Sequence, residues 1–480
     1  MNDRKGFGSN FGFLMAAVGS AVGLGNIWGF PNKMGANGGF PFLILYLALA
    51  LCCGVIIMLG ELALGRKTGH GAVGAYQSIS KRFKWLGWLG IAAAALIFSF
   101  YSALGGYCLR YVVVNFGNLI GAEFGTNGVG GADVFQGLLS QPDVSIAFAL
   151  AFMLITMLVV MSGVGGGIER VCSVGMPALF FILIICIIRS CTLPGAVDGL
   201  KYMFVPGWAV ANGIIDEAPG FWRVLTAAGG QMFFSLSLGA GVMITYGSYL
   251  DKKQDLGKST MIIVGMDTVV ALMAGLCVIP GRFALDPNGA LGGPELLFIT
   301  MQNVFDKMGP AGPVFGILFY LLVFFAAISS SISMLEVIVA HFCDKAREKG
   351  KGDRRKLYSA IAVVICAALC ALVCADGMGS NHISPAELLG LAGAKLPGWS
   401  TSWLGLFDSV AEGLLMPLGA LLMCLMISWE LKPDVLRQEI LLNGENRPWV
   451  YDFFRLCVKY ITPLCMLMIL YGQISDFFIV

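Results

Sequence analysis

Glycine and a polar amide cluster inside the first long apolar segment of the chain. Residues 18 to 31 read VGSAVGLGNIWGFP, so that Gly23, Gly25 and Gly29 surround Asn26. Closely spaced glycines lower helix propensity, and an unpaired amide is costly in hydrocarbon. Glycine also serves close helix packing in membranes, which is the alternative explanation. Because irregular backbone at membrane depth is tolerated only where protein buries it or it lines a cavity, we expect a broken helix with a binding site.

A second apolar segment carries a similar interruption. Its sequence, GGQMFFSLSLGAGVMITYGSY over 229 to 249, places Ser235 and Ser237 before Gly239 and Gly241. The two interruptions fall in the first and sixth of ten core helices. Breaks at corresponding positions of two halves predict the substrate site of a transporter that is built from inverted repeats.

A third polar feature is the serine-rich face of the eighth apolar segment, FFAAISSSISMLE. Ala326, Ser329, Ser330 and Ser333 are spaced to share one helix face. Such serines also serve helix packing and bond to the preceding turn of their own helix. Together with carbonyls from a broken helix, however, their hydroxyls form an all-oxygen cage that suits a hard, singly charged cation, by extension from the divalent hard cations. We therefore expect sodium.

The composition requires these segments to lie in a membrane. Of 480 residues, 57% are hydrophobic and 12% are charged, and the mean hydropathy is +0.80. Continuous apolar runs exclude a transmembrane barrel and predict an all-α polytopic protein with about eleven spans of roughly 20 residues. The predicted spans lie near 11–31, 38–62, 86–116, 143–162, 168–192, 222–250, 258–284, 311–343, 357–376, 405–429 and 453–474.

Basic residues predict the orientation of the chain in the cell membrane. The loops after the second, sixth and eighth spans are rich in Lys and Arg, whereas 114–143 contains neither residue type. The positive-inside rule therefore places the N-terminus in the cytoplasm and, with eleven spans, the C-terminus outside. A formal net charge of +2 gives no reason to expect a nucleic-acid partner. The oligomeric state is left open.

The positions of the two interruptions divide the chain into a 5+5 inverted repeat within one transporter domain, 1–480. The first repeat would cover 11–192 and the second 222–429, and 453–474 would add an eleventh helix.

The motifs GSAVGLGNIWGFP, NGGFPFLILYL, ELALGRKTGHGA and GQMFFSLSLGAGVMITYGSY resemble those of the neurotransmitter:sodium symporter family, which has the LeuT-type fold. The resemblance covers nearly the whole chain and is closest to prokaryotic members with eleven helices. It implies an amino-acid substrate, two bound sodium ions and alternating access to a central site.

The resemblance also implies which residues bind each ligand. The first sodium ion would be held by Ala21, Asn26, Ser235 and Asp267, and the second by Gly19, Val22, Ala326, Ser329 and Ser330. The substrate would contact Ala21, Leu24, Gly25, Ile97, Tyr101, Phe234, Ser235, Ser237, Ala240, Ser330 and Met334. Gly23 stands where monoamine carriers have a carboxylate, which favours a substrate that brings its own carboxylate. Ala240 stands where the leucine carrier has phenylalanine, which favours branched or aromatic side chains.

Two departures from the family pattern change the expected ion chemistry. Asp267 replaces an asparagine of the chloride site and Ala271 lacks the usual hydroxyl, so that a fixed carboxylate is expected to make chloride unnecessary. Gly29 replaces the arginine of the outer gate, whose usual partner corresponds to Asp408. Lys33, one helical turn later, is the candidate to replace that arginine.

On the cytoplasmic side the resemblance implies a gate in which Arg4 faces Asp344, with Ser248 and Tyr249 nearby. Gly167 and Pro177, ten residues apart, match a family pattern in a helix that unwinds to hydrate the second sodium site.

The prediction is a sodium-coupled symporter of a small neutral, hydrophobic or aromatic amino acid. A proton-coupled carrier that uses Asp267 and a gated channel or sensor remain the alternatives. An enzyme is not expected, because the chain has no GxxxxGK, HExxH or GxSxG motif.

Overall fold

The computed structural model describes residues 6–126, 128–286, 293, 295–352, 354–390, 398–430, 436–442 and 448–478, and these form helices without any strand. The membrane helices are α1a (Asn10–Ala21), α1b (Gly25–Ala36), α2 (Phe40–Thr68), α3 (Lys81–Ile120), α4 (Pro142–Met161), α5 (Val164–Cys191), α6a (Phe221–Ser235), α6b (Val242–Gly247), α7 (Leu256–Leu285), α8 (Gly309–Glu348), α9 (Arg355–Gly379), α10 (Trp403–Glu430) and α11 (Trp449–Ser475). Shorter helices in the connections include Ala72–Ile79, Gly131–Leu139, Ala196–Phe204 and Met301–Lys307.

Nine of the described helices are long and apolar enough to cross a membrane by themselves, and the bent pair α1a and α1b makes a tenth. The pair α6a and α6b occupies the predicted sixth span. The all-α membrane architecture and the interruptions of the first and sixth spans are therefore confirmed.

The first interruption follows from local backbone geometry. Helix α1a begins at an N-cap serine, Ser9, and ends where Val22 adopts an extended conformation with ψ of 102°. The chain becomes helical again at Gly25, with a bend of 44° between α1a and α1b. The peptide groups of the residues between the two half-helices are thus available to side chains of other helices.

The second interruption requires left-handed backbone conformations. Ser237, Gly239 and Gly241 have φ of 53°, 78° and 73°, respectively. Glycine adopts this region without a steric penalty, whereas serine does so rarely. The backbone is braced by Glu61 of α2, whose Oε1 accepts a hydrogen bond of 2.7 Å from the amide of Gly239.

The interrupted helices lie within the bundle. Helix α1a packs against α5, α7 and α8, while α6a and α6b pack along the two halves of α2. Helix α8 lies along α3 and also contacts α4, α5 and α9. The serine-rich face of α8 is therefore placed beside the break in α1.

Candidate functional site

The two helix breaks contact each other in the interior of the bundle. Gln231 Nε2 on α6a donates a hydrogen bond of 2.6 Å to the carbonyl of Gly25. Ser237 Oγ, in the break of α6, donates to the carbonyl of Ser20 at 3.0 Å. Side chains of α6a and of the α6 break thus bond to backbone carbonyls on either side of the break in α1, which brings the two interruptions together.

The first group of polar side chains lies where α1b, α6a and α7 meet. Asn26, Ser235 and Asp267 are all fully buried. Asn26 Nδ2 donates to Asp267 Oδ1 at 2.7 Å, and Ser235 Oγ donates to Asp267 Oδ2 at 2.9 Å. Tyr46 of α2 donates to Asp267 Oδ2 at 3.2 Å. The structure thus brings together three of the four residues predicted for the first sodium ion, around one carboxylate.

The second group joins the end of α1a to the serines of α8. Ser329 Oγ lies 3.4 Å from the carbonyl oxygen of Val22 and 3.0 Å from that of Ala326. Ser330 Oγ lies 3.4 Å from the carbonyl oxygen of Gly19. All five residues predicted for the second sodium ion therefore contribute to one set of neutral oxygens, and this donor set is the kind that a monovalent hard cation accepts.

Between these two oxygen groups lies the break of α1, which is contacted by Tyr101 of α3. The amide of Leu24 donates to Tyr101 Oη at 2.6 Å. A side chain built on Gly23 would collide with the hydroxyls of Tyr101 and Ser330, so that only glycine fits there. Gly25 packs against the ring of Phe234. Peptide amides at a helix break, next to a hydroxyl group, are groups that can donate hydrogen bonds to a carboxylate.

Apolar side chains make up the rest of the predicted substrate pocket. Ile97, Phe234, Ala240 and Met334 are all buried. The ring centroids of Tyr101 and Phe234 lie 6.3 Å apart. The backbone of Ala240 packs closely on Gly90 of α3, where a Cβ would lie 3.2 Å from the Ala240 carbonyl carbon.

Residues 4–127 and 132–478 match the sequence profile of the "Sodium:neurotransmitter symporter family". The chain belongs to this family of sodium-dependent symporters. Its members are transporters and not enzymes, and the apolar helices make the chain a multi-pass membrane protein.

Individual relatives agree with the family assignment. The uncharacterized sodium-dependent transporter YhdH of Bacillus subtilis is 36% identical over 477 residues, which is 97% of either chain. An uncharacterized sodium-dependent transporter of Methanocaldococcus jannaschii is 30% identical over 459 residues, covering 91% of this chain and 84% of the relative. The crystal structure of MhsT in complex with L-phenylalanine matches with a TM-score of 0.83 and 33% identity, over 98% of this chain and 100% of MhsT. The LeuT-type fold is thereby confirmed.

Lys33, the candidate for the outer gate, does not form the ion pair predicted with Asp408. Lys33 forms its ion pair with Glu412 of α10, while Asp408 lies beside Glu412 one helical turn earlier. Gly29 itself lies against α6a, since a Cβ at this position would lie 2.9 Å from the carboxamide oxygen of Gln231. The ion pair borders a cavity of about 300 Å³ that is lined by Lys33, Asn37, Arg223, Thr226, Ala227, Asp408, Ser409, Glu412, Gly413 and Gln473.

The predicted cytoplasmic gate is only partly described, because Arg4 lies outside the described residues. Asp344 Oδ2 accepts a hydrogen bond of 3.0 Å from the amide of Gly71. Ser248 Oγ bonds locally to the carbonyl of Thr245 at 2.5 Å. The Arg4–Asp344 pairing stays a prediction.

Tyr249 takes part in a cluster that sequence reasoning missed. Its hydroxyl donates to Glu336 Oε1 of α8 at 2.5 Å. Glu336 is fully buried and also accepts from Arg355 Nη2 of α9 at 3.0 Å. A carboxylate inside the apolar sequence ISMLEVIV was the available signal, since ionisable residues within membrane helices are rare and paired. The signal for Glu412 is similar.

Helix α5 is wound at the predicted unwinding segment. Val164–Glu169 forms a wide π-helical turn, in which the amide of Gly167 donates to the carbonyl of Gly163 at 3.0 Å. Pro177 lies inside the regular part of α5. Unwinding between the two residues stays a prediction.

Proposed function

We propose that this sodium-dependent symporter imports a small neutral amino acid with a hydrophobic or aromatic side chain, together with two sodium ions. The observation that carries the proposal is the Leu24 amide beside the Tyr101 hydroxyl at the break of α1, between two groups of oxygen ligands. Amides and a hydroxyl suit a carboxylate, and the carbonyls of the break suit an ammonium group. Both ends of a zwitterion would therefore find partners there.

Sodium coupling would arise because the first sodium ion and the substrate carboxylate occupy one shared site. In the first site, Ala21, Asn26, Ser235 and Asp267 would hold sodium beside the substrate carboxylate. Each of the two ligands then raises the affinity for the other by the same coupling free energy. In the second site, Gly19, Val22, Ala326, Ser329 and Ser330 supply only neutral oxygens, so that this sodium is held without a fixed charge and is the easier one to release.

Chloride independence rests on Asp267. Its carboxylate accepts hydrogen bonds from Asn26, Ser235 and Tyr46, three donors that would otherwise suit an anion. A buried fixed charge beside a bound cation removes the need for a second, mobile anion. Ala271, which lacks a hydroxyl, agrees with this assignment.

The side-chain preference rests on the pocket and on MhsT. Ile97, Tyr101, Phe234, Ala240, Ser330 and Met334 would give a mainly apolar lining, because most of these buried side chains are apolar. The short side chain of Ala240 would leave room for a large substrate side chain. The related structure of MhsT contains L-phenylalanine. Glycine, alanine and charged amino acids should therefore compete poorly with phenylalanine or leucine.

Transport would proceed by alternating access in a chain built from two inverted repeats, 11–192 and 222–429, with the N-terminus in the cytoplasm and the C-terminus outside. The first, second, sixth and seventh helices would rock against the third, fourth, eighth and ninth. Lys33 with Glu412 would close the outer side. Asp344, Ser248, Tyr249 and, as predicted from the family, Arg4 would close the inner side. The sodium gradient and the membrane potential would drive import. The membrane potential contributes about 2.3 kcal/mol per charge per 100 mV.

The experiment is uptake of radiolabelled amino acids into proteoliposomes, with sodium, chloride and pH gradients imposed one at a time. Accumulation that needs inward sodium, persists in gluconate and is unchanged with the pH clamped supports the proposal. Accumulation driven by a proton gradient without sodium would favour the carrier that uses Asp267 for protons. Flux that never exceeds equilibrium would favour a channel.

A further inference from the structure

We propose that Glu169 is a positioning residue that latches the start of α1a to the cytoplasmic end of α5 and thereby keeps the second sodium site closed. This inference rests on the proposed transport function. Glu169 lies where α1a meets α5, and it belongs neither to the proposed gates nor to the proposed ligand sites.

The latch consists of two hydrogen bonds to one carboxylate. The amide of Gly8 donates to Glu169 Oε2 at 2.6 Å, and Ser9 Oγ donates to Glu169 Oε1 at 2.8 Å. Ser9 is also the N-cap of α1a, where it accepts a hydrogen bond from the amide of Gly12 at 2.9 Å. A carboxylate at a helix N-terminus is favoured by the unpaired amides and by the helix dipole.

The backbone of α1a is shaped to receive this side chain. Any side chain on Gly12 would collide with the carboxylate of Glu169, so that the close approach depends on glycine. Gly12 is buried although it lies in the first turn of the helix. The Glu169 carboxylate therefore packs directly against the backbone of Gly12. Gly12→Ala would displace the carboxylate sterically and leave its charge in place.

The other end of the latch is the segment expected to unwind. Glu169 is the last residue of the π-helical turn Val164–Glu169, which contains Gly165, Gly166 and Gly167. Three consecutive glycines lower the helix propensity of this turn, so that tertiary contacts must contribute to keeping it wound. The two hydrogen bonds to Gly8 and Ser9 are such contacts.

The same part of α5 forms a wall of the second sodium site. A Cβ on Gly19 would lie 3.2 Å from the sulfur of Met176 and 3.3 Å from that of Cys172. Met176 and Cys172 follow Glu169 within two helical turns. Movement of this end of α5 would therefore expose the carbonyl of Gly19 and, with it, the sodium oxygens to cytoplasmic water.

The N-terminal segment is anchored at a second point as well. The ring of Phe7 packs against Tyr246 of α6b at 5.7 Å and against Tyr249 at 6.2 Å between centroids. Residues 7–9 thus join α5 to the cytoplasmic half of α6. Releasing Glu169 loosens one of these two attachments and leaves the other in place, so that the variant is expected to fold.

The test is hydrogen–deuterium exchange of the full chain in lipid nanodiscs, in sodium and in potassium. With Glu169→Ala we expect faster exchange in both 6–13 and 163–170, in either cation. We also expect a rise of roughly three- to tenfold in the sodium concentration that gives half-maximal protection of α8, as for the loss of one or two hydrogen bonds. Gly12→Ala should act in the same direction. Glu217→Ala, the same substitution in an exposed loop position, is the matched control.

Two results would overturn the latch: unchanged exchange in 163–170, or faster exchange confined to 6–13 with an unchanged sodium midpoint, which is the behaviour of a local helix cap. Failure of the proposed function has a different signature. If sodium does not protect α8 of the unaltered protein, the second sodium site is wrong, and the exchange of 163–170 in potassium still decides the role of Glu169.

Discussion

Replacing Asp267 by asparagine tests the central electrostatic feature of the site. The substitution keeps the shape of the side chain and removes its charge. Asp267 is fully buried, and its carboxylate lies 2.7 Å from Asn26 Nδ2 and 2.9 Å from Ser235 Oγ. A sodium ion bound by the oxygens of Asn26 and Ser235 would have no nearer protein charge among the described residues.

The expected loss follows from Coulomb's law. Two unit charges about 4 Å apart attract each other by about 4 kcal/mol at an effective dielectric constant of about 20. Since each 1.36 kcal/mol is about tenfold in an equilibrium constant, we expect the half-saturating sodium concentration to rise roughly hundred- to thousandfold in chloride-free buffer. Chloride should restore part of this affinity, because an anion could then occupy the place of the missing charge.

The assay is sodium-dependent binding of radiolabelled amino acid to the purified protein, in chloride and in gluconate. Asp133→Asn, which neutralises an exposed carboxylate in the Gly131–Leu139 helix, is the control for a general effect of lost charge. If Asp267→Asn binds sodium in gluconate as tightly as the unaltered protein, the carboxylate is not the counter-charge. The argument for chloride independence then fails.

Three further substitutions follow from the geometry. Gly23→Asp should abolish amino-acid binding in an equilibrium assay, since its side chain would displace the hydroxyls of Tyr101 and Ser330 and bring a carboxylate to the place proposed for that of the substrate; retained binding would contradict the placement of the substrate. Ser329→Ala should raise the half-saturating sodium concentration about tenfold, as for one lost ligand hydroxyl in a buried site, and an unchanged midpoint would remove the hydroxyl from the second site. Lys33→Ala should leave Glu412 buried without its cation and slow uptake, whereas the double variant with Glu412→Ala should recover part of the rate, and purely additive effects would argue against a gate.

The sequence alone determined the class of the protein and the positions of its helix breaks. Hydropathy and span length are local properties, so that the membrane helices could be placed from composition. The interruptions near Asn26 and Gly239 depend on the helix propensity of a few neighbouring residues, which is also local. The family resemblance predicted Asn26, Ser235, Asp267, Ser329 and Ser330 as ligand residues, and the fold brings these side chains together in two groups.

The tertiary structure decided which distant side chains meet. Lys33 and Glu412 are 379 residues apart, and the fold brings these two side chains into an ion pair instead of the expected pairing of Lys33 with Asp408. The local sequence pattern likewise could not predict the contact of Glu336 with Arg355. The same holds for the hydrogen bonds of Glu169 with Gly8 and Ser9. A charged residue inside an apolar segment indicates that it has a partner, because burying an unpaired charge costs free energy. Only the packing of the helices identifies that partner.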